Sequence, residues 1–448
     1  MDTSYKVQSE FLPQRISFFD YFFVLVLILY AGRANILFES GSFTDNTIFV
    51  LLPVVLSGVL AFKWKVLYSG QFYLIVFLFA VYFLAASIKY YVIQPTFFLT
   101  YLFLIFISYT TVKALKISFF KIYEYLMFWL SVIALLMWTA QVVLGGDTVY
   151  NIFAGSSFLQ SISFVSGNGI NTIFYSIQPY ATTLINNFTI SRNCGYAWEP
   201  GSFAVYLCLA IFINLFINSD SKNNKLHFWI LLAALLTTQS TTGYFILMTI
   251  IIFYFINKDV KKILLVFPIV IAVMIFVFSL PFMKNKILDL ISETSGLEQL
   301  LSDAFGRSSP ATPQRFMSLM ITMVDFYHNP IIGLAAHYED AWTYKLGSNI
   351  SPISGIGNLF AQFGLSGVVF FLFFSLRSSF FLSRYLRYKG RLLLFIIIVL
   401  IAVSYSILFL PLIVCFWMFV LCEPDLIMQK APEGVLSDEQ NFSGELAV

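Results

Sequence analysis

Of the 448 residues of the chain, 59% are hydrophobic and only 11% charged, against about 25% charged in soluble domains. Phenylalanine alone occurs 52 times, and the net charge is +3. This composition excludes a soluble globular fold and gives no sign of a nucleic acid partner; it predicts an all-α polytopic membrane protein built as one membrane domain over 1–448.

Apolar runs fall near 18–37, 47–63, 70–88, 96–112, 124–144, 200–217, 226–240, 242–257, 263–282, 356–376 and 391–421. The last run is too long for one span and holds Pro411, a helix breaker, so it reads as two helices. Twelve membrane helices are thus expected. The first run reads as an uncleaved helix, not a signal peptide. Cys194, Cys208, Cys415 and Cys422 include only one loop position, which argues against a disulfide framework.

Lys and Arg set the orientation. One set of alternate loops holds Lys6 and Arg15; Lys63 and Lys65; Lys113, Lys116 and Lys121; Lys222 and Lys225; Lys258, Lys261 and Lys262; and Arg377, Arg384, Arg387, Lys389 and Arg391. The other set is sparser: Arg33, Lys89, Arg192, Lys284, Lys286, Arg307, Arg315 and Lys345. Both termini are therefore expected in the cytoplasm, with the long loops 145–199 and 283–355 outside and 423–448 a disordered cytoplasmic tail.

Residues 145–190 are rich in Asn, Ser, Thr and Gly, which fits either a sugar-facing surface or an ordinary extracellular loop. At their end Glu199 precedes Pro200, which suits the first position of a helix. A carboxylate there is favoured by the helix dipole. Between two predicted helices, Thr237 to Tyr244 is either a tight hairpin or a piece of pocket wall. In the second loop Thr312-Pro313 marks a helix start. Phe316, Leu319, Met320, Met323 and Phe326 then recur at helical spacing. That amphipathic helix would lie on the membrane or against the bundle, with Arg315 in its first turn as a phosphate site.

The sequence has no GxxxxGK[ST] loop, no Gly-x-Ser-x-Gly elbow and no metal-ligand cluster; His227, His328 and His337 are isolated. No cofactor is expected. What remains is an outward set of charges: Arg192, Glu199, Arg307, Arg315, Glu339 and Asp340, with His328 and His337 beside them. Arginine grips diphosphate oxygens in bidentate fashion. A carboxylate or imidazole would take a proton from a sugar hydroxyl. Blander readings stand beside these. Arg192 and Glu199 would simply pair and cap a helix, Arg315 would snorkel to headgroups, Arg307 would belong to a turn, and His337 would be an exposed loop residue.

These residues also carry a resemblance. Arg192-x-x-Gly195-x-x-x-Glu199-Pro200-Gly201 before an apolar helix resembles the signature of bacterial O-antigen and capsular polysaccharide polymerases (Wzy-type), shared loosely with the O-antigen ligases. Ser240-Thr241-Thr242-Gly243-Tyr244 resembles the family's Ser-x-x-Gly turn. Arg315, followed by Asn329-Pro330-Ile331-Ile332-Gly333, resembles its outer-loop arginine and Asn-Pro-x-x-Gly element. Gly357-Asn358-Leu359-Phe360 through Gly364-Leu365-Ser366-Gly367 resembles the segment that re-enters the membrane. The match runs from about 190 to 370.

The resemblance implies a GT-C-like, metal-independent membrane glycosyltransferase in the bacterial plasma membrane. It would join undecaprenyl-diphosphate-linked oligosaccharide repeat units into O-antigen, capsule or exopolysaccharide, with a chain-length regulator as a possible partner. Arg192 and Arg315 match the diphosphate-binding arginines; Tyr196, Ser240 and Asn358 are candidate pocket residues. The ligases carry His-Asn where this chain has Gly357-Asn358, which leaves the base open between Glu199 and His337. Two rival activities are a ligase passing finished glycan to an acceptor and a flippase or exporter of lipid-linked sugar.

Overall fold

In a computed structural model the protein is a mostly helical membrane protein. The structure describes residues 16–32, 47–156, 163–166, 169–177, 181–185, 188–218, 223–258, 268, 313, 315–347, 350 and 352–428. In chain order the α-helices are α1 (Phe18–Gly32), α2 (Thr47–Lys63), α3 (Gly70–Tyr90), α4 (Pro95–Leu115), α5 (Ile117–Leu144), α6 (Gly146–Gly155), α7 (Pro200–Phe216), α8 (Asn224–Thr238), α9 (Thr241–Lys258), α10 (Arg315–His328), α11 (Trp342–Lys345), α12 (Gly355–Leu386), α13 (Leu393–Ser404), α14 (Pro411–Trp417) and α15 (Glu423–Met428). Five of them, α3, α4, α5, α9 and α12, are long and apolar enough to cross a bilayer. α1, α7, α13 and the stretch Leu51–Lys63 of α2 are shorter apolar helices.

Several expectations change. α12 runs to Leu386, so Arg377 and Arg384 lie in a helix and not in a connection. α5 starts at Ile117 and takes in Lys121 and Glu124. The 391–421 run does break before Pro411, but the second helix is only 7 residues and gives way to a 3-10 turn, Phe419–Cys422. The polar stretch after α5 is not all loop. It holds α6 and five short strands, Ser163–Ser166, Gly169–Thr172, Ser176–Ile177, Ala181–Ile185 and Phe188–Ser191 (β1 to β5). They form antiparallel sheets β1-β2-β3 and β4-β5. The tail expected to be disordered from 423 begins as helix α15, Glu423–Met428. The expected helix at 263–282, apart from residue 268, together with Arg307 and residues 429–448, lies outside the described residues.

The chain divides into two compact units, 1–60 with 117–296 and 61–116 with 297–448. In the first, α7 is the central post. Every residue from Pro200 to Asn214 is buried, as expected of a helix apolar all round. α5, α8 and α9 pack round it. Tyr123 and Tyr206 tie helices through buried hydroxyls, one to the Tyr206 carbonyl at 2.9 Å and the other to that of Ala31 at 2.7 Å.

In the second unit α12 is broken. Gly364 sits at φ 60, ψ −157, so the helix stops and restarts there. A break in a low-dielectric region exposes N–H and C=O groups that must find partners. The segment after α10 supplies them from both sides. Leu334 N–H donates to Ala361 O at 2.7 Å and Ala335 N–H to Gln362 O at 2.8 Å. In return Leu365 N–H donates to Pro330 O at 2.7 Å and Ser366 N–H to Ile331 O at 3.2 Å. Tyr82 of α3 adds a hydroxyl to Ile332 O at 2.7 Å and Gln362 O at 3.1 Å. Two glycines permit the approach. A Cβ on Gly364 would stand 2.5 Å from Ile331 O, and one on Gly333, at φ +74, 2.5 Å from the Gln362 carbonyl carbon.

Gly364→Ala should therefore lower stability by at least ~1–3 kcal/mol from backbone strain alone, before the clash is counted. Gly58→Ala in α2, where a Cβ meets nothing within 4 Å, serves as the control and should be neutral or slightly stabilising. Thermal unfolding in detergent, followed by size-exclusion recovery, separates the two. Equal melting of both variants contradicts the docked-break geometry.

Candidate functional site

In the first unit the segment before α7 folds as a corner clamped on the α8–α9 hairpin. α8 ends at Thr238 with Gln239 left-handed at φ 51, and α9 begins at Thr241. The last carbonyls of a helix need outside donors. Arg192 provides them, with Nε donating to Thr238 O at 3.0 Å and Nη2 to Gln239 O at 3.3 Å. Asn193 continues the clamp: its N–H donates to Thr237 O at 3.0 Å and its Nδ2 to Thr237 Oγ1 at 2.9 Å. Its Oδ1 accepts from Gly195 N–H at 2.9 Å. The sheet joins in, with Ser176 N–H donating to Gly195 O at 2.6 Å. Trp138 of α5 donates its Nε1–H to Ser191 O at 2.7 Å.

Arg192 thus caps α8, and the expected capping of α7 by an Arg192–Glu199 pair does not describe this corner. Half the guanidinium is spent. The Nη1 edge has no hydrogen-bond partner among the described residues, and the side chain is only half-buried. Glu199 is the residue before α7, with Pro200 at the first helical position as the sequence predicts. Its backbone is extended (φ −149, ψ 155) and its carboxylate makes no capping bond to α7. It too is half-buried. Between them lies Cys194, fully buried. Burial pushes its thiol pKa up, while Arg192 pulls it down and Glu199 pushes it up by smaller amounts. A thiol held protonated is no nucleophile.

Two expected pocket residues are buried in the packing of this corner. Tyr196 is fully buried, stacked on Tyr206 with centroids 5.7 Å apart. Its hydroxyl meets Met127 Sδ at 3.7 Å. Ser240 is buried, and its Oγ accepts from Gly243 N–H at 3.2 Å. The turn is therefore the tight hairpin, one of the two readings open from sequence.

In the second unit Arg315 is the first residue of α10. Its guanidinium carbon lies 4.0 Å from the centroid of Tyr405, a cation–π contact. Asn358, in the first turns of α12, reaches the same bend: Nδ2 donates to Ser406 Oγ at 3.1 Å and to Pro352 O at 3.2 Å. Arg315 and Asn358 thus meet at the bend that follows α13. Tyr405 was not legible as a site residue, because it lies 90 positions away in an apolar run.

His337 lies elsewhere. α10 is about 20 Å long at 1.5 Å per residue. Arg315 opens it, and His337 belongs to the docked segment beyond its other end. The expectation of an exposed loop histidine fails: His337 is 8% exposed and stacks on Tyr90 at 4.2 Å. Nδ1 lies 3.0 Å from Leu334 O. A carbonyl only accepts, so this nitrogen donates. Nε2 is buried with no hydrogen-bond partner among the described residues. Tyr90 also donates its hydroxyl to Gly333 O at 2.7 Å, and Lys89 Nζ to Asn329 Oδ1 at 2.6 Å. His328 is exposed at the end of α10, and Asp340 pairs with Lys345 at 3.1 Å on the surface.

The histidines are not all isolated. In the first unit His227 Nδ1 sits 2.9 Å from Glu124 Oε1, and Asn214 donates Nδ2 to that oxygen at 2.9 Å. Among the described residues no three His, Cys, Asp or Glu side chains could hold a metal ion.

Asp325 is a carboxylate the sequence reading passed over. It is 4% exposed in α10 and accepts Trp342 N–H on Oδ1 at 2.7 Å. Burial raises its pKa, opposed by that bond and by His328 and Lys345. A raised carboxyl pKa means the folded state resists ionising. Its stability is then fullest below the unfolded value of about 4 and declines as pH rises through the folded value. Asp325→Asn keeps an acceptor for Trp342 and removes that loss. It should melt higher than wild type at neutral pH, with the gap closing below about pH 4. Melting curves across pH check this, and a gap that widens in acid refutes it.

No family model matches the chain, and neither curated proteins nor solved structures give a match.

Proposed function

We propose that this protein is a metal-independent glycosyltransferase that polymerises undecaprenyl-diphosphate-linked oligosaccharide repeat units at the outer face of a bacterial plasma membrane. In this reading the chain crosses the membrane twelve times, both termini are cytoplasmic, the long loops are outside and the architecture is GT-C-like. The growing glycan leaves its lipid diphosphate and moves to a hydroxyl of the incoming repeat unit.

The observation that carries the reading is the corner before α7. It holds a half-engaged guanidinium and a carboxylate on one clamped backbone, both half-buried and flanking the buried Cys194 in sequence. Arg192 would hold the leaving diphosphate with its Nη1 edge; each such charge-assisted bond is worth roughly 1.5–3 kcal/mol. Glu199 would take the acceptor hydroxyl's proton as the new glycosidic bond forms and the diphosphate departs. Arg315 would hold phosphate oxygens at the Tyr405 bend. Of the two candidate bases we assign Glu199. His337 is walled in by Tyr90 and lies beyond the far end of α10 from Arg315, which suits it to holding the docked segment.

The test is made in a strain lacking the gene and complemented with variants that match wild type in expression and elution. Glu199→Gln should lower polymer formation roughly 10²–10⁴-fold, the range for loss of a general base. Arg192→Lys and Arg315→Ala should leave mainly single repeats in place of a ladder on a surface-glycan gel. An unchanged ladder from Glu199→Gln removes the base assignment. Unchanged ladders from both arginine variants remove the polymerase reading.

A further inference from the structure

The cationic stretch between α12 and α13 also lines a surface hollow, with its four cations exposed. Arg384 is in the last turn of α12, and Arg387, left-handed at φ 57, is its C-cap. Arg387, Lys389 and Arg391 then follow within the turn to α13. This turn is fixed to α12 by serine hydroxyls. Ser383 Oγ donates to Tyr388 O at 2.8 Å and Ser379 Oγ to Arg391 O at 2.7 Å. Ser379 Oγ also accepts Phe395 N–H at 3.1 Å. The backbone beneath the four cations is therefore held in one shape, which an unstructured basic loop would not be.

The hollow they line measures about 300 Å³, with Ser383 and Tyr388 among its walls and no carboxylate among the described residues that line it. That is the lower end of the range for small-ligand sites. Two acidic residues of α15 are matched to other cations. Glu423 meets Arg377 at 3.2 Å, and Asp425 meets Lys113 at 3.1 Å. Three arginines offer planar forks that fit phosphate oxygens in pairs. Phe380 forms an apolar side of the hollow. The hollow lies at the C-terminal end of α12, a helix long and apolar enough to cross a bilayer, so a crossing by α12 would bring it near the headgroups.

From this geometry we infer a binding site for a phosphate ester at the α12–α13 turn, independent of the corner before α7. The phosphate comes either from an anionic phospholipid headgroup or from a free phosphate compound.

The test is native mass spectrometry of the purified full-length protein in detergent, titrated with phosphatidylglycerol or phosphatidylcholine, with and without millimolar inorganic phosphate. Wild type should retain one phosphatidylglycerol per chain and discriminate against phosphatidylcholine. R384A/R387A/K389A/R391A should weaken retention about tenfold or more, given that each basic residue near a membrane surface adds to anion attraction. If that variant elutes abnormally, R384K/R387K/R391K keeps the charge, loses the forks and should weaken binding several-fold. Displacement by inorganic phosphate supports the site with a free phosphate as its natural source. Retention despite phosphate supports the lipid headgroup. Equal retention of both lipids, or equal phosphatidylglycerol retention by wild type and the neutral variant, overturns the inference.

Discussion

A backbone amide or carbonyl without a partner is costly in a bilayer, and the second unit is arranged round that constraint. α12 is broken at Gly364, and the unpaired groups on both sides of the break would each cost several kcal/mol in hydrocarbon. The segment 330–336 answers them like a short strand inserted in the gap, donating to 361 and 362 and accepting from 365 and 366. Once this segment is fixed, much else follows. Tyr82, Lys89 and Tyr90 of α3 bind its carbonyls or Asn329, and His337 is stacked and buried as the chain leaves it. The Asn329-to-Gly333 motif thus acts here as a plug for a discontinuous helix. Its terminal glycine is needed because another backbone passes where a Cβ would be.

The first unit meets the same constraint differently. The open carbonyls at the end of α8 are met by Arg192, so a charge is drawn to a helix end by the backbone's own demand. That gives Arg192 a structural task, holding the hairpin, and leaves its Nη1 edge for the anion that the proposed function assigns to it. The two alternatives drawn from the sequence therefore do not exclude each other. The residue is structural through Nε and Nη2 and available through Nη1. A fork with five donors can serve both purposes, whereas lysine, with a point charge, could not hold both carbonyls and a phosphate in fixed directions.

Local signals were readable and distant ones were not. Glu199 before α7 and Pro200 as its first residue follow from proline's fixed φ and absent N–H, properties of the residue itself. The break in the 391–421 run was readable from Pro411 for the same reason. The break in α12 was not, since one glycine in an apolar run looks like any other until its partner, some 30 residues upstream, is in place. The burial of His337 depends on Tyr90, far away in sequence. The strands between 163 and 191 were missed because Ser, Thr and Asn were weighed as loop formers. The β-branched residues Thr182, Thr183 and Ile185, and then Thr189 and Ile190, were the available signal.

α10 shows why the pattern of a membrane-associated helix needs a second fact. The spacing of Phe316, Met320 and Met323 correctly gave a helix, yet those residues are exposed. The opposite face, Ser318, Thr322 and Asp325 with Met317 and Ile321, is the buried one. It packs on α12, where Ser318 Oγ accepts Ile353 N–H at 2.5 Å, while Phe326 meets Phe360 edge-on at 5.0 Å. In water that helix would be inside out. Against acyl chains it is the stable arrangement, because the outer solvent is as apolar as the stripe and the polar groups gain by turning to protein partners. Periodicity reports that two faces differ; which of them turns inward is decided by the medium outside and by the partners within, here those of Ser318 and Asp325.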